Sequence, residues 1–127
     1  MQDFKLYEYA VIRALPKVER EEFFNVGLIL FCKKEKYIRA EYILNKEKLN
    51  YFFNEDQFED LENNLQSFIN IARGEKSSGN IATLDIPERF RWLNAVRSSC
   101  VQTSRPHAGL TQNLDRTFER LFEELVK

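Results

Sequence analysis

A chain of 127 residues, 43% apolar and 31% charged with a formal net charge of −1, is long enough to bury roughly two-thirds of its unfolded surface as one domain over residues 1–127. That balance excludes intrinsic disorder, and the near-zero net charge argues against nucleic acid as a partner, which demands a strongly basic face. The longest apolar run, Val26 to Cys32, falls far short of the ~20 residues of a membrane span, and the start Met-Gln-Asp-Phe-Lys lacks a signal peptide's apolar segment. A cytoplasmic protein with no membrane contact is expected.

Residues 4–15 are rich in aromatic and branched side chains and read as a first strand that stops before Pro16. After a charged turn, Phe23 to Cys32 reads as a second strand. Phe24, Val26, Leu28, Leu30 and Cys32 form one row, and Phe23, Asn25, Gly27, Ile29 and Phe31 the other, which is the pattern of a central strand. Lys33-Lys34-Glu35-Lys36 closes a hairpin into a third strand from Tyr37 to Leu44, with Ile38, Ala40, Tyr42 and Leu44 inward and Arg39 and Glu41 outward. Glycine weakens a strand unless something approaches its backbone, so Gly27 calls for such a neighbour, and the late segment Arg97 to Thr111 is the candidate. Tyr7, Tyr9, Tyr37 and Tyr42 read as sheet packing.

The period then becomes helical. A short piece runs to Phe53, and a longer helix from about Gln57 to Arg73 carries Phe58, Leu61, Leu65, Phe68, Ile69 and Ala72 on one side, with Asp56 as its cap and Gly74 as its stop. Gly74 to Asn80 reads as a loop. A third helix starts at Asp85-Ile86-Pro87-Glu88 and sets Phe90 and Leu93 against the sheet, with Trp92 a further candidate. Val101 and its neighbours suit a late strand, and Leu114, Phe118, Leu121, Phe122, Leu125 and Val126 mark an amphipathic closing helix. Early strands followed by helices predict an α+β fold: an antiparallel sheet, made of an N-terminal three-stranded meander plus a late strand, with helices packed on one face and the other partly open.

The passage Arg97 to Thr111 interrupts the packing pattern. It gathers Ser98, Gln102, Arg105, Thr111 and the single histidine, His107. Between Ile86 and Leu114 the basic residues are all arginine, namely Arg89, Arg91, Arg97 and Arg105, against the single acid Glu88. Arginine is suited to bidentate contacts with phosphate or carboxylate, and Arg97, Arg105 and a turn at Gly109 offer donors for one. The bland alternative is that these arginines are solvated or pair with the acidic run from Glu55 to Glu62. Gln102, similarly, is either a ligand contact or a side chain satisfying buried backbone groups.

His107 is the catalytic candidate, as a general base, but no carboxylate or nucleophile is spaced to complete a known arrangement. The serines lack a nucleophile elbow. No phosphate-loop or dinucleotide pattern is present, so no cofactor is expected. Cys32 and Cys100 read as small apolar residues, and Glu19, Glu21 and Glu22 as a solvated turn, so no metal is expected either.

Tyr9-Ala10-Val11-Ile12-Arg13 and the run from Pro16 to Cys32, which contains Glu22-Phe23-Phe24-Asn25-Val26-Gly27, resemble the opening motif of the bacterial family called domain of unknown function 3037. Phe90-Arg91-Trp92-Leu93, Ala95-Val96-Arg97-Ser98 and His107-Ala108-Gly109-Leu110-Thr111 are similar to its later blocks. The resemblance brings no established activity. It implies that Arg13, Asn25, Gly27, Arg97, Ser98, His107 and Gly109 fall in family motifs, and that a protein partner, in the setting of a HipA-like kinase or a toxin–antitoxin-like system, is to be expected. The expected function is a binding module, leaning against an enzyme, with a polar anion-binding site formed by Arg13, Asn25, Arg97, Ser98, Gln102, Arg105, His107 and Thr111. The alternative is a hydrolase or transferase acting on a phosphate ester with Arg and His residues.

Overall fold

The computed structural model describes residues 3–20, 22–75, 79–95 and 99–127. Strands β1 (Lys5–Ala14), β2 (Phe24–Cys32) and β3 (Tyr37–Tyr42) form the antiparallel meander that the alternation predicts, and β4 (Val101–Thr103) and β5 (His107–Thr111) complete a five-stranded sheet. Both late strands run antiparallel to β1 on the edge that β2 leaves free. β4 takes Ile12 to Ala14 and β5 takes Lys5 to Tyr9. Helices α1 (Lys46–Leu49), α2 (Glu55–Arg73), α3 (Ile86–Asn94) and α4 (Leu114–Leu125) pack against this sheet, giving the expected α+β class. Among the described residues, no helix is long and apolar enough to cross a membrane.

The helices divide between the two faces instead of sharing one. Ala10, Ile12, Ala14, Ile29, Phe31 and Ala40 bury against Leu61, Leu65, Phe68 and Ala72 of α2 and Phe90 and Leu93 of α3. On the opposite face, Tyr7, Leu28, Leu30 and Cys32 bury against Leu114, Phe118 and Leu121 of α4. The reason lies in β2, whose two rows are both apolar. Each such side chain contributes about 1.5–3 kcal/mol when fully buried, so a second cover is favoured over an open face.

Register matters for the site. A bulge between Ile12 and Arg13 shifts the β1–β2 ladder, so Ile12 faces Gly27 while Arg13 faces Asn25. Val26 is the extra residue, and it joins the α2/α3 core. Asn25 and Gly27, which strict alternation sets on one row, therefore stand on opposite faces. A Cβ on Gly27 would meet the Glu41 carbonyl at 2.6 Å and Ile12 Cδ1 at 3.1 Å. The close neighbour that the glycine requires is thus β3 and β1, not the late segment.

Helix ends obey local chemistry. Asn54, not Asp56, caps α2: its side chain accepts from Gln57 N at 2.8 Å while Gln57 Oε1 accepts from Asn54 N at 3.0 Å, a reciprocal box that leaves Asp56 free in the first turn. Gly74 ends the helix at φ 75°, as its position suggests. Asp85 caps α3 through Glu88 N at 3.0 Å. Residues 76–78 of the expected loop, and Glu21 in the charged turn, lie outside the described residues.

Candidate functional site

Arg13 stands between Asn25 on β2 and Gln102 on β4. Cross-strand partners in an antiparallel ladder point to the same side, so these three form one polar row on the face that carries α4. Two residues of the row are tied to backbone carbonyls. Asn25 Nδ2 donates to Leu125 O at 3.1 Å, holding the end of α4, and Gln102 Nε2 donates to Ser99 O at 3.2 Å. Arg13 is different. Its guanidinium carbon lies 3.9 Å from the centre of the Phe23 ring, while its Nε is buried and has no hydrogen-bond partner among the described residues. Phe23 is 45% exposed, so this stacked cation sits at the surface and not in the core.

His107 is on the same face, farther along β1. It pairs with Tyr9 in the β1–β5 ladder, and the two rings lie 5.4 Å apart. Tyr9 and Arg13 are four residues apart, which at the rise of a strand separates their backbones by about 13 Å. Asn25 and Gln102 also line separate depressions, the first with Phe24, Ile43 and Lys48, the second with Asn64, Ser67 and Trp92. The opening hairpin and the late histidine-bearing segment share one sheet face, and among the described residues Asn25 and Gln102 belong to different depressions.

The remaining candidates have local duties or open positions. Arg97 and Ser98 lie outside the described residues. Arg105 is exposed in the short connection between β4 and β5. Thr111 Oγ1 accepts from Asn113 N at 3.1 Å and from Thr117 Oγ1 at 2.6 Å, so it organises the start of α4. Gly109 belongs to β5 rather than to a turn, and its backbone is not available as an anion-binding bend. Its smallness serves packing, because a Cβ there would lie 2.6 Å from Tyr7 Cζ.

A second polar cluster shares this face at β3. Tyr37, Arg39 and Glu41 stand opposite Cys32, Leu30 and Leu28 and meet the first turns of α4. Arg39 bonds Glu41 at 2.6 Å and Asp115 at 3.3 Å, with its guanidinium 4.3 Å from the centre of the Phe118 ring. The Tyr37 hydroxyl donates to Asp115 at 2.6 Å. Burial, and then the hydrogen bond to Asp115, push this phenol up to about 12. The period-two pattern marks Arg39 and Glu41 as outward but cannot reveal that a helix returns over them. Phe23 as the platform under Arg13 also escapes that pattern; its one signal is two adjacent phenylalanines, of which a strand can bury only one on a given face.

Chemically, Arg13 offers a charged group with donor capacity left over, laid on an aromatic ring and flanked by two amides. Guanidinium donors of this kind have the geometry to pair with an oxyanion. No significant match was found among curated proteins or among solved structures. A family model described as protein of unknown function (DUF3037) matches residues 9–126, a span that holds every strand from Tyr9 of β1 onward and all four helices, and the chain belongs to that family.

Proposed function

We propose that this chain is a small bacterial cytoplasmic module that binds a protein partner, receiving an anionic group of that partner at Arg13. One observation carries the reading: the buried Arg13 Nε without a hydrogen-bond partner among the described residues. Buried donors are satisfied in the great majority of cases, and an unmet one on a charged, surface-reaching side chain supports a binding role. The stacked Phe23 supports it further, since it holds the guanidinium in place before a ligand arrives, while Asn25 and Gln102 are its partners on the neighbouring strands. The family resemblance makes a HipA-like kinase the partner to try first. The competing hydrolase or transferase has less support, because His107 and Arg13 belong to positions about 13 Å apart along β1.

Two measurements test this. Inorganic phosphate or a phosphorylated peptide is expected to raise the melting temperature of the natural chain and to leave Arg13→Gln unmoved, since binding to the native state must stabilise it. Co-expression with a HipA-like kinase should yield a complex that Arg13→Glu disrupts. An equal thermal response in both chains, together with a complex indifferent to residue 13, overturns the proposal.

A further inference from the structure

Three large apolar side chains left at the surface lie together at one end of the sheet. Phe4 is 57% exposed, Leu6 62% and Leu110 64%. Leu6 and Leu110 are cross-strand partners between β1 and β5. With Phe4, on the same row as Leu6, they line one depression whose other walls are Lys33 and Lys34 from the β2–β3 turn. Alternation along β1 from Leu6 to Ala10 puts this strip on the α2/α3 face, opposite Arg13, at an end of the sheet where those helices leave the leucines uncovered. Glu8 follows on the row and bounds the strip toward the core.

β5 is also an edge. It pairs with β1 alone, and among the described residues no strand takes its other side. Edge strands are normally blunted by charge, proline or a cover, because open N–H and C=O groups invite pairing. Here the edge carries an exposed leucine continuous with two more apolar side chains. Contiguous exposed apolar surface of this kind marks an interaction site.

We infer that this strip docks an acidic, apolar-bearing segment of a protein partner, which meets the open edge of β5 with its main chain and then crosses the strands, laying apolar side chains over Leu110, Leu6 and Phe4 and carboxylates at Lys33 and Lys34. The charge of the lining selects this occupant, since it holds two lysines and no acid. A second copy would bring the same lysines toward their own kind. A lipid surface would satisfy the lysines and the apolar groups but would leave the edge hydrogen bonds unused.

Selection of a random displayed peptide library against the full chain tests the inference. Enriched peptides are expected to combine Asp or Glu with Leu- or Phe-like residues, and to lose affinity by more than about tenfold against Leu110→Gln and against the double variant K33E/K34E. Both changes lie at exposed positions, so circular dichroism should report an unaltered fold. Arg13→Gln should bind these peptides as the natural chain does, which separates this surface from the Arg13 site. Peptides without acidic bias, equal affinity for K33E/K34E, or loss of binding in Arg13→Gln would each overturn the proposal. So would Leu110-dependent sedimentation with anionic vesicles, or Leu110-dependent self-association in place of peptide binding.

Discussion

Ser104 satisfies both backbone groups of Val11: its N–H donates to the Val11 carbonyl at 2.8 Å, and its hydroxyl accepts from the Val11 N–H at 2.9 Å. The same hydroxyl donates to Arg105 O at 3.0 Å. A side chain here replaces the strand carbonyl that would otherwise pair with Val11, so the chain can step out between β4 and β5 without leaving a buried donor unmet. Ser104→Ala should therefore cost about 1–3 kcal/mol, the penalty for an orphaned buried amide. Urea denaturation measures it, and a variant as stable as the natural chain would deny the hydroxyl this role.

Gly109 lies under the Tyr7 ring, and Tyr7 is only 7% exposed. A methyl at residue 109 would push that ring out of the core it shares with Leu30 and Phe118. Gly109→Ala is expected to destabilise by roughly 1–3 kcal/mol through overpacking. In a double-mutant cycle with Tyr7→Leu the two losses should fall short of additive, because the second change removes the obstructing ring. Simple additivity would separate the two residues.

The histidine block illustrates what the sequence could and could not disclose. His107-Ala108-Gly109-Leu110-Thr111 alternates in reverse, because the apolar Ala108 and Leu110 lie on the exposed row while the row that faces α4 holds a histidine, a threonine and a glycine beneath a tyrosine from the neighbouring strand. That pattern reads as a bend, and nothing in the segment itself records Tyr7. The β2 bulge hides for a similar reason. Val26 and Gly27 are both compatible with simple alternation, and the displaced residue becomes visible only once Arg13 is paired with Asn25. By contrast, Leu61, Leu65 and Phe68 on α2, or Leu114, Phe118 and Leu121 on α4, repeat at three and four residues and are buried as that period requires. The pairing of Arg13 with Gln102, across so many intervening residues, was legible only as a guess that the two regions meet. The β1–β4 ladder sets Arg13 opposite Gln102, and among the described residues Asn25 and Gln102 line different depressions.

Tyr37 gives a pH signature. Its phenol is raised from 10.0 to about 12, by burial first and by the hydrogen bond to Asp115 second, with Arg39 opposing. The folded state therefore holds the proton longer than the unfolded state does. Its contribution to stability is complete below pH 10 and drains away as the pH climbs from 10 to about 12. Ultraviolet titration should show one tyrosine ionising late. Tyr37→Phe should remove that late step and flatten the alkaline fall in stability; a late step that persists would assign it to another residue.

Arg13 permits a prediction in which stability and binding move apart. Methionine at this position keeps a flexible apolar stem against Phe23 but removes the buried Nε that has no partner among the described residues. If the arginine were there for the fold, Arg13→Met would weaken it. If the charge is kept for a ligand, the exchange should leave stability unchanged or raise it by up to about 1 kcal/mol, as removing an uncompensated buried donor commonly does. The phosphate-induced rise in melting temperature should vanish in the same variant. Thermal denaturation with and without phosphate reads both quantities at once, and a destabilised variant that still responds to phosphate would return Arg13 to a purely structural part.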